Sequence, residues 1–212
     1  MTRKMSLRNK STLALAGCLL LTMALRPERA HAGLPTEQIK TTVDKALVVL
    51  KDPQLKPPAK LRERRDQLKQ ILFARFDFTE MAKRSLGTNW RRRSPQEQDE
   101  FVRLFTDVLE RAYADIIESY SDEKIIYLNE RIDGGFADVN SKITTAKGEE
   151  YSINYKAHFV GSEWKVYDVI AENISLVNNY RAQFNRVISN ASYEELVRRL
   201  KDKSQFAGAP KK

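Results

Sequence analysis

Few side chains in this 212-residue chain could carry out chemistry. Beyond residue 32 the chain holds one histidine, His158, and no cysteine. The usual zinc sites and the Cys–His or Ser–His nucleophile pairs need more of these residues than are present. No glycine-rich phosphate loop occurs either, because the glycines lie in short turns. We therefore expect no catalytic residue, no metal ion and no cofactor.

Asp168 is the carboxylate that most resembles a catalytic candidate. It shares one face of a predicted strand with Trp164 and Val166, so it could be a buried acid with a raised pKa, as in cone-shaped isomerases. The alternative, which we favour, is that Asp168 lies near the strand end and accepts hydrogen bonds from the backbone or a neighbouring side chain. By alternation, His158 falls on the polar face of its own strand, which is typical of a surface histidine.

Three consecutive arginines, Arg91–Arg93, could contact an anionic headgroup or a membrane, although such a run is more often a solvated loop. The formal net charge of the whole chain, +9, comes partly from its first 32 residues. Six of the 37 basic residues and one of the 28 acidic residues lie before Gly33, so the segment from Gly33 onward has 31 basic and 27 acidic residues, or +4. This small excess is not typical of a nucleic-acid-binding protein.

The first 32 residues have the features of an export signal. Four basic residues precede the apolar stretch Thr12–Leu25, which is too short to span a bilayer, and Ala30–Ala32 gives the small-x-small cleavage pattern. We predict a signal peptide over residues 1–32, cleavage after Ala32 and a periplasmic protein. The alternative is a lipobox at Cys18, which would make the chain a lipoprotein anchored through that residue.

The next part of the chain has the 3.6-residue periodicity of helices. We predict one helix with Thr36 as its cap that runs to about Leu50, and a second helix after Pro57-Pro58. Asp77 is predicted to cap a third helix that ends at a glycine, Gly87. Ser94, followed by proline and glutamate, is the clearest start signal, and this fourth helix is predicted to reach about Tyr120.

The remainder predicts an antiparallel meander. Four segments, 124–132, 138–145, 151–159 and 164–170, are rich in β-branched and aromatic residues and are separated by turns. In the first strand, Ile126, Leu128 and Ile132 are predicted to share a face. A helix that begins with Ile174 and another that begins after Ser192 follow the last strand.

These elements predict an α+β domain. The expected architecture is a four-stranded antiparallel sheet with helices before and after it curled over one face, a cone-like, NTF2-like arrangement with an apolar cavity. We predict a single lipid-binding domain over residues 33–203 and a flexible tail over residues 204–212, which is rich in glycine, proline and lysine.

The amino-acid sequences of several segments resemble those of the toluene-tolerance/MlaC family. Trp164–Phe184 reads W-x-V-Y-D-V and then I-S-L-V-x-x-Y-R-x-Q-F, and Phe76–Ala82, Leu86–Trp90 and the helix Ser94–Tyr120 are similar to the family as well. The resemblance covers about residues 36–203. Asn173 departs from it, because the family has glycine there. Since asparagine tolerates a left-handed backbone, we expect the turn to survive.

The resemblance implies a monomeric periplasmic carrier of phospholipid. Such a carrier moves lipid between an outer-membrane lipoprotein complex and an inner-membrane ABC transporter with an MCE-type subunit, and so maintains outer-membrane lipid asymmetry. A related branch is associated with hopanoids, so the lipid class stays open. Inward side chains of the sheet and helices are expected to bind the lipid: Leu86, Phe105, Tyr113, Ile117, Ile153, Tyr155, Val166 and Ile174.

Two other classes of function stay open at this point. A cone-fold enzyme would need Asp168 in the pocket with an oxyanion donor opposite it. A non-ligand adaptor tethered through Cys18 would have a filled core and no cavity.

Overall fold

The computed structural model describes residues 34–120 and 123–202. The predicted signal peptide over residues 1–32, its cleavage after Ala32, the lipobox at Cys18 and the tail over residues 204–212 all lie outside the described residues. Within the described ranges, no helix is both long enough and apolar enough to span a bilayer.

Two helices at the start of this range form an antiparallel hairpin, α1 (Pro35–Lys51) and α2 (Leu61–Phe73). α1 ends at Lys51, two residues before Pro53, because proline cannot continue the hydrogen-bond pattern of the helix. The prediction that Thr36 caps α1 is wrong. The helix begins one residue earlier, at Pro35, and the Thr36 backbone N–H and hydroxyl both donate to Glu130 Oε2 (2.9 and 2.5 Å), a tertiary contact.

The next two helices begin where their caps predict. Asp77 accepts the Glu80 N–H at the start of α3 (Phe78–Leu86). Ser94 and Glu97 form a complete capping box at the start of α4 (Pro95–Glu118). Between α3 and α4 lies a 3₁₀ helix, Gly87–Arg92, and Gly87 has a φ of +56°. Two helices after the sheet complete the set, α5 (Leu176–Asn190) and α6 (Tyr193–Lys201).

The sheet is an antiparallel meander in the order β1-β2-β3-β4-β5. The prediction of four strands is one short, because Ile174–Ser175 folds back onto the end of β4 as a two-residue strand. Ile174 therefore belongs to a strand and not, as predicted, to the following helix. The strands are β1 (Lys124–Asp133), β2 (Phe136–Thr144), β3 (Glu150–Val160), β4 (Glu163–Ala171) and β5 (Ile174–Ser175).

The turn into β5 tolerates the departure from the family sequence. Asn173 has a φ of +64° and Glu172 a φ of +47°, so two residues other than glycine adopt the left-handed conformation in succession. The Glu172 carboxylate accepts the Ser152 N–H and hydroxyl, and this contact to β3 helps to hold the turn. The expectation that asparagine preserves the turn is confirmed.

Bulges in β1 and β4 change which residues share a face. In β4 the register shifts between Val166 and Asp168, which pair with the adjacent residues Ala157 and Lys156, so the prediction that Asp168 shares a face with Val166 is wrong.

In β1 the register shifts between Tyr127 and Asn129. Ile126 lies opposite Lys142, whereas Ile132 lies opposite the buried Ala137 on the inner face, although all three apolar side chains, Ile126, Leu128 and Ile132, are exposed. The prediction that Ile126, Leu128 and Ile132 share one face is therefore wrong. An inserted residue shifts every later side chain to the other face, because side chains alternate with a period of two.

The buried side chains form three separate clusters. The sheet cluster lies between α1 and the inner face of the sheet, and contains Ile39, Ala137, Val139, Ala157, Trp164 and Val166. The hairpin cluster joins α1 and α2 through Ala46, Val49, Leu50, Leu55 and Leu68. The helix cluster joins α3 to α6, and its aromatic members are Phe101, Phe105, Tyr167, Tyr180, Phe184 and Tyr193.

Gly87 gives a test of the contact between α3 and α5. A Cβ at this position would lie 2.9 Å from Arg181 Nε on α5, in addition to the strain of the positive φ. We expect Gly87→Ala to lower the free energy of unfolding by about 2 kcal/mol, measured by urea denaturation. Gly134 has a similar φ with open space around it, so Gly134→Ala is the matched control and should cost about 1 kcal/mol. Equal losses in the two variants would show that the Arg181 contact contributes nothing.

Candidate functional site

The candidate site consists of half-buried apolar side chains on the inner face of the sheet and on α1 and α4. Inner-face side chains near the start of β1 are half-buried and not fully buried: Ile125, Tyr127, Ile143, Ile153, Tyr155 and Val169. Apolar side chains of α1 and α4 are half-buried in the same way: Val43, Leu47, Tyr113 and Ile117. Seven of these ten residues pack against one of the three clusters, whereas Ile125, Ile143 and Ile153 lie outside them.

Four of the predicted lipid-binding residues are among these half-buried side chains. Ile153 and Tyr155 are neighbours on the inner face of β3, where Tyr155 pairs with Val139 on one side and Val169 on the other. Tyr113 and Ile117 are one turn apart on α4, with Tyr113 beside the helix cluster and Ile117 beside the hairpin cluster. Two sheet residues and two helix residues of the prediction thus belong to the half-buried set.

The other four predicted residues are placed differently. Leu86 and Phe105 lie inside the helix cluster with 0 % of their surface exposed. Val166 is fully buried in the sheet cluster. Ile174 is 49 % exposed on β5. In this structure none of these four lies among the half-buried side chains.

Tyr127 was missed by the sequence prediction, which placed its neighbours Ile126 and Leu128 together on one face. Among the described residues, its buried hydroxyl has no hydrogen-bond partner. Burial, with Tyr155 and Asp44 nearby, raises the pKa of Tyr127, and burial raises the pKa of Tyr155 to about 12. The site therefore contains two phenols that stay protonated at neutral pH in largely apolar surroundings.

Asp168 has a structural role that accounts for its burial. It is 5 % exposed, Oδ2 accepts the Ser175 hydroxyl (2.5 Å) and Oδ1 accepts the Val177 N–H (3.0 Å). Ser175 in turn caps α5 by accepting the Asn178 N–H. Both carboxylate oxygens of Asp168 thus hold the junction between β4 and α5, as the non-catalytic interpretation of this residue predicted.

His158 lies on the outer face of the sheet and has a specific partner. Its Nε2 is 3.0 Å from Asp77 Oδ2, and the ring packs against Phe136 and Tyr167. Since Asp77 Oδ1 caps α3, one carboxylate connects the start of a helix to β3. The half-buried imidazole is thus a structural contact between sheet and helix and not a fully solvated side chain.

Arg75 fixes α1 over the sheet and was not predicted. Its Nη1 donates to the Gln38 side chain (2.7 Å) and to the Trp164 carbonyl (2.6 Å), and Nε donates to the Thr42 hydroxyl (3.1 Å). Gln38 also accepts the Trp164 N–H. These hydrogen bonds join α1 to β4 at the end of the sheet where the two layers are in close contact.

A groove of about 440 Å³ lies elsewhere, on the surface of α4 next to α6. Five of its seven lining residues are charged or polar, and none belongs to the predicted site: Glu100, Val102, Arg103, Leu104, Thr106, Asp107 and Lys201. The groove shares no residue with the half-buried set on the sheet, α1 and α4, which remains the candidate site.

Comparison with known proteins points to one family. The model of the MlaC protein family matches residues 40–202. The chain is 27 % identical over 170 residues to the toluene tolerance protein ttg2D of Pseudomonas putida, with 79 % of each chain covered. It is 23 % identical over 120 residues to the intermembrane phospholipid transport system binding protein MlaC of Haemophilus influenzae, and this match spans 54 % of the chain and 56 % of that relative.

A solved structure has a similar fold. The phospholipid-binding protein from Ralstonia solanacearum, determined in complex with a phospholipid, superposes with a TM-score of 0.73 at 26 % sequence identity. The match covers 81 % of this chain and 97 % of that protein. The similarity thus includes both the helices and the sheet that border the candidate site.

The structural role of Asp168 can be tested by its removal. Asp168→Ala would leave the Val177 N–H and the Ser175 hydroxyl without their buried acceptor, so we expect a loss of about 2 to 3 kcal/mol in the free energy of unfolding. Asp138→Ala is the control, because it removes a largely exposed pair with Lys156 and should cost less than about 1 kcal/mol. If Asp168→Ala is as stable as the wild type, the carboxylate does not hold α5.

Replacement of Tyr127 should raise the free energy of unfolding, whereas replacement of Asp168 should lower it. Tyr127→Phe removes a buried hydroxyl that has no partner, so the ligand-free protein should become more stable by about 1 kcal/mol in urea denaturation. Tyr151→Phe is the control, because the Tyr151 hydroxyl already donates to Glu149 (3.0 Å) and its loss should give no gain. A destabilised Tyr127→Phe protein would mean that the hydroxyl has a partner in solution.

Proposed function

Because the chain belongs to the MlaC family, we propose that it binds a phospholipid with its acyl chains between the sheet and the helices and carries it between membranes. The observation that carries this proposal is the row of half-buried apolar side chains along the sheet, in a fold similar to that of a protein solved with a phospholipid. The relatives named for phospholipid transport and toluene tolerance support the same function.

The energetics of acyl chains explain why a carrier needs such a site. Exposure of one methylene to water costs about 0.8 kcal/mol, so the roughly 30 methylenes of two acyl chains resist transfer through water by on the order of 20 kcal/mol. A protein that encloses the chains removes most of this barrier. The apolar side chains of β3 and α4, which are already half-buried, can contact the chains with little loss of protein–protein packing.

The helices are held by separate sets of contacts, so they could move away from the sheet and open the site. The hydrogen bonds of Arg75 and Gln38 hold α1 to one end of the sheet, and ion pairs from Arg65 and Lys69 hold α2 to α4. Between these contacts the layers meet mainly through apolar side chains. Movement of α1 and α4 away from β3 would widen the space without breaking the strand hydrogen bonds.

The site residues and the cellular setting are part of the proposal. We assign Tyr113, Ile117, Ile153 and Tyr155 to the acyl chains in the form seen here, and Leu86, Phe105, Val166 and Ile174 to a site that has widened around its ligand. The protein would work in the periplasm, as a monomer without enzymatic activity. It would receive and deliver lipid through an outer-membrane lipoprotein complex and an inner-membrane ABC transporter with an MCE-type subunit.

Lipid content after gentle purification tests the function. We expect the wild type to retain phospholipid that is extracted with organic solvent and identified by mass spectrometry. Ile153→Glu places a carboxylate on the inner face, so retained lipid should fall by about tenfold or more. Ile126→Glu is the matched control on the exposed face of β1 and should retain lipid like the wild type.

The possible outcomes distinguish failure of the carrier function from failure of the assigned lipid-binding site. If the wild type holds no lipid and takes none up from vesicles, the carrier function is wrong. If the wild type holds phospholipid and a folded Ile153→Glu protein holds as much, the function stands and the assigned site is wrong. A hopanoid in place of phospholipid would overturn the assigned lipid class.

A further inference from the structure

The structure concentrates unpaired positive charge on one face. Two segments, 82–96 and 173–193, contain seven basic residues and no aspartate or glutamate. The chain from Gly33 onward has 31 basic and 27 acidic residues, so the part outside these two segments has 24 basic and 27 acidic residues and is net negative. The positive excess of the chain therefore comes from these two segments.

The two segments pack against each other. Gly87 approaches the Arg181 guanidinium so closely that a Cβ there would lie within about 3 Å of it. Two residues further along the 3₁₀ helix, Asn89 Nδ2 donates to Asn185 Oδ1 of α5 (3.2 Å). The 3₁₀ helix and α5 thus form one continuous surface.

Acidic side chains outside the two segments neutralise some of the basic residues. Lys83 and Arg84 contact Glu80, and Arg93 contacts Glu97 while its guanidinium lies over the Tyr193 ring at 4.4 Å. The other four are exposed and have no acidic partner in the described part of the chain: Arg91, Arg92, Arg181 and Arg186. We call these four residues the cationic face.

We propose that the cationic face binds the surface of an anionic phospholipid bilayer. A guanidinium group presents planar paired donors that match phosphate oxygens, and all four free cations are arginines. All four are exposed, and none is held by a hydrogen bond that would fix it for one particular carboxylate. Exposed guanidinium groups without a fixed carboxylate partner suit a layer of phosphates that can rearrange, more than the fixed pattern of an acidic protein surface.

The four arginines of the cationic face are exposed and are not among the side chains assigned to the acyl chains, although Leu86 and Ile174 lie in the same two segments. The 3₁₀ helix and α5 border the helix cluster, whereas the half-buried side chains of β3 lie on the inner face of the sheet. Binding to a membrane surface and uptake of a lipid are therefore measured independently, and either result can fail without the other.

Vesicle flotation tests the proposal with the full-length mature protein. We expect the wild type to float with phosphatidylcholine vesicles that contain phosphatidylglycerol and to stay unbound with phosphatidylcholine alone. Arg91→Gln with Arg92→Gln should weaken binding by about tenfold or more, since each arginine near an anionic surface contributes about 1 kcal/mol. Arg181→Gln, on the other segment, should weaken it by about fivefold.

Two controls separate surface binding from other effects. Arg62→Gln with Arg131→Gln removes the same charge from exposed arginines on α2 and β1, and should change binding by less than about twofold. About 1 M sodium chloride should release the protein, because the Debye length falls to about 3 Å. Inorganic phosphate at matched ionic strength should release no more than sodium chloride does.

Three results would overturn the proposal. Equal losses in the Arg91/Arg92 and Arg62/Arg131 variants would show a general effect of net charge. Specific release by inorganic phosphate would show a site for a free anion. Absence of binding to anionic vesicles, together with Arg91- and Arg92-dependent binding to poly-glutamate, would assign the face to an acidic protein partner.

Discussion

β4 is hydrogen-bonded to other backbone along both of its edges, and the rest of the structure depends on this arrangement. One edge pairs with β3. On the other edge, Arg75–Asp77 pairs in parallel with Val166, and β5 pairs with the end of the strand. Val166 and Tyr167 point to opposite sides of β4, as neighbouring residues of a strand do, so Val166 enters the sheet cluster and Tyr167 the helix cluster. One strand therefore fixes α1, α3 and α5 relative to the sheet.

The same arrangement divides the interior of the protein into separate parts. A single continuous core would gain the most packing, but the buried side chains here form three clusters, each held by its own contacts. The helix cluster is rich in aromatic edge-to-face contacts among residues of α4 and α5, and of the strands only β4 contributes a buried residue to it, Tyr167. Much of the aromatic packing is thus separate from β3.

The features predicted correctly from sequence were those that depend on neighbouring residues. The start of α4 follows from Ser94 and Glu97 alone, and the turn at Asn173 follows from the tolerance of asparagine for a positive φ. The features that were missed depend on distant partners. Thr36 has the residue type of a helix cap, but its N–H and hydroxyl donate to Glu130, which lies 94 residues away in the sequence. The bulge at Leu128 depends on the register with β2, so a pattern within β1 could not reveal it.

The candidate site was predictable to a similar degree. The alternation of β3 placed Ile153 and Tyr155 on the inner face, because β3 pairs with β2 without interruption. Leu86 and Phe105 have the same chemical character, yet they are enclosed by α5 and α6, and no property of their own segments distinguishes the two situations. Tyr127 could not be found without the three-dimensional contacts that leave its hydroxyl unpaired.

The bulge in β1 has a consequence for how the protein behaves among copies of itself. β1 is the free edge of the sheet and carries exposed Ile126 and Leu128, a combination that favours pairing with strands of other molecules. The register shift after Tyr127 interrupts the regular row of N–H and C=O groups that an incoming strand would need. The single inserted residue in β1 thus disfavours edge-to-edge aggregation of the protein.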